Sequence, residues 1–377
     1  MIITDEIPAE SSSHFLIFSP QPELEPRMIF LIGYRGYIGS AFARALDDEG
    51  IQWKPFPFGR IGGASFGAVM KILREERPSL LINAAGFTGR PNVDACESKK
   101  GETIEGNLLL PIVVANACAE YGIPWGHVSS GCVYDGAKLQ NSHGYEVVTD
   151  LLDKKVRQQW AANPPELHGF SEDDPPNFTF ESGTSSFYSG VKALAERSLN
   201  EIGGGYVWRI RMPFDHLDHP RNYLTKLQTY PRLYDNINSL SHRGESVQTC
   251  LRMALRRAPY GIYNVVNSGY LSTRQIVAML VKHFKVANSF RFWKSDRDFY
   301  RKAAKARRSN CLLDTSKLDQ IGLGMRNIEE ALLESMELWV TDRVNFSESH
   351  SYFFQSPDCK IESFIGQSEF NRNSECL

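Results

Sequence analysis

A short apolar run, Met28-Ile29-Phe30-Leu31-Ile32, leads directly into Gly33-Tyr34-Arg35-Gly36-Tyr37-Ile38-Gly39 and then into an amphipathic stretch ending near Asp48. A run without polar alternation predicts a strand buried on both faces, and such strands belong to parallel sheets covered by helices. The rhythm then repeats. Strands are expected near Ile51 to Pro55, over Ser79-Leu80-Leu81-Ile82-Asn83 and from Pro124 to Ser129, with helices around Phe66 to Glu75 and from about Thr103 to Tyr121. A helix from Tyr188 to about Ile202 and a return strand at Tyr206 to Arg211 complete the pattern. This alternation predicts an α/β fold with a doubly wound parallel sheet.

Outside that rhythm the chain divides into four further parts. Residues 1–27 are rich in Ser, Glu and Pro and read as a flexible extension; they lack the basic start and apolar centre of a secretory signal. Residues 136–185 are polar, contain Pro164-Pro165 and Pro175-Pro176, and read as an insertion or lid with a short helix near Asp150 to Gln159. From Pro213 to about residue 340 the pattern is mixed: helices near Tyr223 to Thr229, Ser246 to Arg257, Thr273 to Lys285 and Ile328 to Val340, and a strand at Gly261 to Val266. This segment is expected to form a smaller C-terminal lobe that binds substrate. Residues 341–377 show no period and read as a poorly ordered tail.

Composition narrows the partners. With 42 basic and 44 acidic residues and a net charge of −2, the chain has no field to hold nucleic acid or an anionic membrane. No apolar run approaches the roughly 18 residues that span a bilayer. Seven scattered cysteines form no CxxC pair and stand at no metal-ligand spacing with histidine, so neither a metal site nor a disulfide framework is expected. A reducing, cytoplasmic location fits.

The glycine turn points to a cofactor. Gly33 permits the tight turn, Gly36 lets backbone approach a pyrophosphate, and Gly39 lets the helix pack on the strand; Tyr37 and Ile38 complete the cradle. The diphosphate would sit on the helix N-terminus, where amides and dipole favour anions. The spacing is GxxGxxG rather than GxGxxG, but it has the strand before it and the helix after it that a Rossmann-type cofactor site requires. No acid follows between Ile51 and Arg60 to hold a free ribose diol, while Arg35, Lys54 and Arg60 offer cations for a 2′-phosphate. NADPH (or NADP+) is the expected cofactor.

Tyr188 and Lys192 stand four residues apart, so one helix face carries both a phenol and an ammonium. The ammonium is expected to depress the phenol pKa so that Tyr188 exchanges a proton with a carbonyl or hydroxyl oxygen. Ser130 stands at the end of the Pro124 strand, upstream of that pair. Cys132 lies two positions further, where strand alternation could aim it into the same cleft. Together these predict an enzyme that reduces a carbonyl.

At this point the chain resembles a known family: extended short-chain dehydrogenase/reductases acting on nucleotide-linked 4-keto-6-deoxy sugars, in particular nucleotide-rhamnose synthase epimerase/reductases, with GDP-fucose synthase as a relative. The matching stretches include Asn83-Ala84-Ala85-Gly86, Gly89-Arg90-Pro91-Asn92-Val93-Asp94, Cys96-Glu97-Ser98, Gly131-Cys132, Tyr188-Ser189, Pro220-Arg221-Asn222 and Arg308-Ser309-Asn310. The resemblance implies a nucleotide-diphosphate-sugar substrate, and reduction at C4 with Ser130 and Tyr188 on the keto oxygen and Lys192 on the nicotinamide ribose. It implies that Cys132 and Lys226 exchange the protons at C3 and C5. It places Asn83 to Gly86 against the cofactor, makes Asn107 the asparagine that fixes the active-site helix backbone, and offers Arg90, Asn92, Arg221, Asn222, Arg308 and Asn310 as substrate contacts.

The reading is therefore an NADPH-dependent 3,5-epimerase/4-reductase forming nucleotide-L-rhamnose. A 4-ketoreductase that relies on a separate epimerase is its rival. A non-catalytic NADPH-binding regulatory subunit is a third reading, against which stands the intact Tyr188–Lys192 pair. A homodimer and action after a 4,6-dehydratase complete the expected partners. The base of the nucleotide is left open.

Overall fold

The computed structural model describes residues 28–57, 65–141, 144–151, 158, 167–284 and 290–339. Its strands, in chain order, are β1 (Ile29–Ile32), β2 (Trp53–Pro55), β3 (Leu80–Asn83), β4 (Trp125–Ser130), β5 (Ala137–Asn141), β6 (Gly144–Val148), β7 (Leu167–His168), β8 (Gly205–Ile210), β9 (Ile237–Asn238), β10 (Gly261–Asn264) and β11 (Leu271–Ser272). Six of them form the main sheet in the order β2-β1-β3-β4-β8-β10, every pair parallel. The doubly wound Rossmann-type sheet expected from the apolar runs is present.

Alternation along β1 shows why the run had to be apolar throughout. Ile29 and Leu31 face one helical layer, with Phe42 and Leu46 of the helix Gly39–Asp48 and Val247 and Leu251 of the helix Arg243–Leu255. Phe30 and Ile32 face the other, with Val69 and Leu73 of Phe66–Glu76, Val114 and Cys118 of Leu110–Glu120, and Leu199 of Phe187–Ile202. Each large side chain so buried contributes about 1.5–3 kcal/mol.

The sequence of connections decides where ligands can go. The chain leaves β1 towards β2 on one side and returns to β3 on the other. Helical connections on opposite faces leave a crevice at the carboxyl ends of β1 and β3. Gly33 follows β1, Ala84 to Gly86 follow β3, and Ser130 ends β4. All of these expected site residues therefore meet at one end of the sheet.

Several expectations need correction. The single helix from Thr103 to Tyr121 is two α-helices, Lys100–Ile104 and Leu110–Glu120, joined by a π-helical turn, Glu105–Leu109. Pro111 lacks the N–H that would bond the carbonyl of Asn107, so the ladder widens there. The core does not end at residue 212 either. Strand β10 pairs with β8, and Arg243–Leu255 packs on the glycine-turn helix, because both present apolar faces the sheet needs covered. The expected surface excursion contains a three-stranded antiparallel sheet, β6-β5-β7, whose Leu139 and Leu167 pack with Ile237 and Leu312 of the C-terminal lobe. Of the short helix expected near Asp150 to Gln159 only the flanks fall within the described residues, and the tail and the first 27 residues lie outside them.

The lobe has its own core of Phe214, Leu224, Leu227, Ile276, Leu280, Leu332 and Trp339. Sequence reading missed the short helices Asp296–Lys302 and Ser316–Gln320, which span too few turns to show a period. Among the described residues no helix is long and apolar enough to cross a membrane.

One buried ion pair ties the site end of the sheet together. Glu196, in the helix Phe187–Ile202, accepts from Arg209 Nε at 2.9 Å and Nη2 at 2.8 Å through Oε2, while its Oε1 accepts from Ser129 Oγ at 2.5 Å. Burial lowers the Arg209 pKa, but Glu196 and Tyr134 more than offset this and hold it above its ordinary value. Glu196→Ala strands the guanidinium without its counter-charge, and the expected cost is about 3–5 kcal/mol. Urea unfolding monitored by circular dichroism measures it, and a loss under 1 kcal/mol would show that water reaches Arg209.

Candidate active site

The glycine turn is built as the cofactor reading requires. Gly33 has φ +81°, and a Cβ there would come within 2.7 Å of Ala85 N, so the turn packs on the loop after β3. A Cβ on Gly39 would sit 2.0 Å from the Gly33 carbonyl. Gly36 N–H donates to that carbonyl at 2.8 Å, and Ser40 N–H donates to Gly36 O at 2.8 Å. The amides of Tyr37, Ile38 and Gly39 precede that helical bond and lie at the positive end of the dipole.

The loop after β3 supplies the opposite wall. Asn83 Oδ1 accepts from Ala85 N at 3.0 Å, while its Nδ2 is buried and, among the described residues, lacks a hydrogen-bond partner. An orphaned buried amide costs about 1–3 kcal/mol, a cost a bound ligand would remove. Asn107 fixes the next residues: Nδ2 donates to Phe87 O at 2.7 Å and to Thr103 O at 3.0 Å, and Oδ1 accepts from Phe87 N at 3.2 Å. A Cβ on Gly86 would strike Asn107 Oδ1 at 2.8 Å and approach Lys192 Nζ at 4.0 Å. These residues fit a dinucleotide. Arg35 is exposed, its guanidinium 5.1 Å from the Tyr34 ring centroid, and Lys54 pairs with Glu76 at 3.3 Å. Arg60 lies outside the described residues.

Ser130, Cys132, Tyr188 and Lys192 converge above β4. Ser130 Oγ accepts from Cys132 N at 3.3 Å and caps the 3-10 turn Gly131–Val133. That turn, rather than strand alternation, brings Cys132 back beside Ser130. The Cys132 thiol lies close enough to Ser130 and Ser189, and the Tyr188 phenol close enough to Ser130, for these hydroxyls to lower their pKa values. The Tyr188 helix is held at its start by two partners: Ser186 Oγ accepts from Ser189 N at 3.1 Å, and Glu97 accepts from Phe187 N at 2.8 Å.

The electrostatics differ from the expected phenolate. Burial raises the Tyr188 pKa well above its ordinary value, with Cys132 and Cys96 adding to the rise; Ser130 and Arg221 oppose it only in part. Lys192 instead lies 3.3 Å from His127 Nε2 and 3.3 Å from Val128 O. Burial lowers its pKa to about 8, and burial together with Lys192 holds His127 neutral. Tyr188 thus keeps its proton at neutral pH. Burial also raises the Cys132 thiol, leaving it a protonated acid.

The remaining candidates divide. Lys226, in the helix Tyr223–Thr229, is brought to about 8 by burial and then by Arg221. Arg221 donates to Gly89 O at 2.6 Å and acts electrostatically on Tyr188, and exposed Arg90 lies near enough to lower its pKa after burial. Asn92 turns inward to accept from Asp94 N at 2.9 Å. Arg308 is engaged by both oxygens of Asp94, at 2.7 and 2.9 Å.

Two expected substrate contacts are structural. Asn222 is buried, donating to Asp215 O, Asp215 Oδ1 and Leu217 O while capping the Lys226 helix through Leu224 N at 3.0 Å. Asn310 is buried between Asn238 and Arg308 O. Asn222 spends its polar atoms on its own loop, and Asn310 spends its own on Arg308 and on Asn238 of β9. Glu196, Arg209 and His127 support the site unannounced in the sequence, because their partners are 13 to 67 positions away.

A pH test follows from Lys192. Its folded pKa of about 8 lies below the ordinary 10.5, so between those values the unfolded chain binds more protons and stability rises with pH. Compared with Lys192→Met, the wild type should gain urea resistance from pH 8 towards 10. Equal slopes for the two proteins would mean that Lys192 is hydrated.

With this geometry in hand, comparison with known proteins is informative. Residues 27–151 match the RmlD substrate binding domain. A bifunctional dTDP-4-dehydrorhamnose 3,5-epimerase/dTDP-4-dehydrorhamnose reductase of Arabidopsis thaliana is 31% identical over 307 residues, 81% of this chain and 91% of that protein. A trifunctional UDP-glucose 4,6-dehydratase/UDP-4-keto-6-deoxy-D-glucose 3,5-epimerase/UDP-4-keto-L-rhamnose-reductase from the same plant is 31% identical over 312 residues, 82% of this chain, and the chain spans only 42% of its length. The crystal structure of a UDP-rhamnose synthase from Acanthamoeba polyphaga mimivirus superposes with a TM-score of 0.68 at 26% identity, covering 82% of this chain and 98% of that one. The Tyr188–Lys192 helix, the glycine turn and this likeness over four-fifths of the chain agree: the chain belongs to the nucleotide-rhamnose synthase epimerase/reductase family of extended short-chain dehydrogenase/reductases.

Proposed function

We propose that this chain is an NADPH-dependent 3,5-epimerase/4-reductase acting on a nucleotide-linked 4-keto-6-deoxy sugar and forming the nucleotide-L-rhamnose. The observation that carries the epimerase half is Cys132, a buried, protonated thiol that the 3-10 turn capped by Ser130 holds within electrostatic reach of Tyr188. A plain reductase has no need of a second acid there. The relatives named for both activities support the same reading.

The residues divide the work by their protonation. Ser130 and Tyr188 hold the C4 oxygen, which makes the neighbouring C3 and C5 hydrogens acidic. Lys226, with a pKa of about 8, is neutral in roughly one molecule in ten at pH 7 and can take a ring proton; Cys132 returns one. NADPH, when bound, supplies hydride to C4. Tyr188 then gives its proton to the oxygen, a task suited by a phenol whose burial keeps it protonated. Lys192 lies behind both groups, placed to hold the nicotinamide ribose. Arg221 and Arg90 bring positive charge to the mouth, where a diphosphate would arrive. A 4,6-dehydratase would generate the 4-keto sugar.

The epimerase and reductase halves separate by isotope. Wild type should introduce solvent deuterium at C3 and C5 of UDP- or dTDP-4-keto-6-deoxyglucose, read by NMR. Cys132→Ser replaces a thiol with a hydroxyl too weakly acidic to act, so the exchange is lost while a pre-epimerised 4-keto sugar is still reduced. Tyr188→Phe should slow reduction by roughly 10²–10⁴-fold. Reduction without any exchange in the wild type would leave a 4-ketoreductase only.

Cofactor choice rests on Arg35. Its removal in Arg35→Ala should cost a charge-assisted contact of about 1.5–3 kcal/mol, raising KM for NADPH at least tenfold and leaving NADH unaffected. Equal use of NADH and NADPH by the wild type would refute that assignment.

A further inference from the structure

The glycine turn does more than face its own crevice. Tyr37 reaches out of it to the segment that begins the C-terminal lobe, and its phenol donates to Asp215 Oδ1 at 2.9 Å. Burial, with Asp215 reinforcing it, raises the Tyr37 pKa, so the group remains a donor. The ring stacks on His219 at 4.6 Å and 11°. Arg243 closes the arrangement: Nη1 meets Asp215 Oδ2 at 2.8 Å, Nε donates to Tyr37 O at 2.6 Å, and Nη2 donates to Ser40 Oγ at 2.8 Å. Asp215 is 4% exposed and Arg243 7%, so this is a buried network in which each bond is strengthened by its neighbours.

The oxygen that Tyr37 bonds also addresses the Lys226 helix. Asp215 Oδ1 also accepts from Asn222 Nδ2 at 3.0 Å, and Asn222 caps Tyr223–Thr229. His219 Nδ1 accepts from Arg221 N at 3.0 Å, and its carbonyl accepts from Asn222 N at 2.8 Å. One side chain of the glycine turn therefore holds the loop 215–222 at Asp215 and His219, and Asp215 in turn holds Asn222 at the loop's other end; the loop carries Arg221 and sets the start of the Lys226 helix.

We propose that Tyr37 and Asp215 are positioning residues that couple occupation of the glycine turn by the dinucleotide to the placement of Arg221 and Lys226 at the sugar. The inference rests on the cofactor and Lys226 assignments above and goes beyond them: cofactor and sugar sites communicate through this carboxylate. A dinucleotide that steadies the turn steadies Tyr37, and through Asp215 and Asn222 the helix N-terminus. Sugar protons are then handled by a lysine set in place once the cofactor is bound.

Backbone amide deuterium exchange on the full chain, with and without NADPH, tests this independently of turnover. In the wild type, NADPH should slow exchange both at residues 36–44 and at residues 222–229. Tyr37→Phe keeps the ring on His219 and removes only the hydroxyl. It should keep the protection at 36–44 and lose about tenfold of that at 222–229, the weight of one hydrogen bond to a charged group. Ring-proton exchange should then fall in kcat more than in KM for NADPH. Asp215→Asn should act in the same direction and more strongly. Wild-type protection confined to 36–44, or unaltered protection at 222–229 in Tyr37→Phe, overturns the coupling. No protection at 36–44 in the wild type overturns the cofactor assignment, and the coupling with it.

Discussion

The Glu196–Arg209 ion pair is the interaction on which the site depends. Glu196 stands one helical turn beyond Lys192 and two beyond Tyr188, so whatever fixes Glu196 fixes the helix face carrying both. Its two oxygens bind different strands: Arg209 of β8 on one and Ser129 of β4 on the other. Ser129 immediately precedes Ser130. The carboxylate thus sets both the height of the Tyr188 helix over the sheet and the strand end from which Ser130 reaches up. Arg209 passes the constraint onward, donating to the Tyr134 hydroxyl at 3.1 Å beyond the Cys132 turn. Buried ion pairs add little net stability over apolar replacements, but they fix geometry because their alternatives are costly.

Burial then sets the chemistry. The same removal of water raises the acids and lowers the bases, so Tyr188 and Cys132 retain protons while Lys192 and Lys226 release theirs near pH 8. The result is a cleft with proton donors and potential proton acceptors present together near neutral pH. In water both lysines would stay protonated there.

How much of this was legible in the chain follows from interaction range. Strand β1, the glycine turn and the Tyr188 helix were readable because their signals are local: an apolar run, three glycines, and a four-residue spacing. Cys132 was expected beside Ser130 through strand alternation, and it lies there because Ser130 caps a 3-10 turn where the strand was expected to continue. Asn222 and Asn310 were expected to contact substrate and proved to be held, the first by its own loop and the second by Arg308 and Asn238, because the resemblance marks an asparagine without saying which way it points. The antiparallel sheet β6-β5-β7 went unseen because its strands are short and its apolar partners, Ile237 and Leu312, lie about 70 to 175 residues away.

By itself the sequence determined the layered α/β class, the glycine turn between the first strand and helix, and the pairing of Tyr188 with Lys192 on one helix face, since these depend on periodicity and on residue type at short spacing. Only the tertiary structure decided the protonation of Tyr188, the π turn at Asn107, and the network from Tyr37 through Asp215 to the Lys226 helix. Those properties arise from burial and from contacts between residues up to 206 positions apart. Water exclusion and long-range hydrogen bonds exist only after the chain has closed on itself.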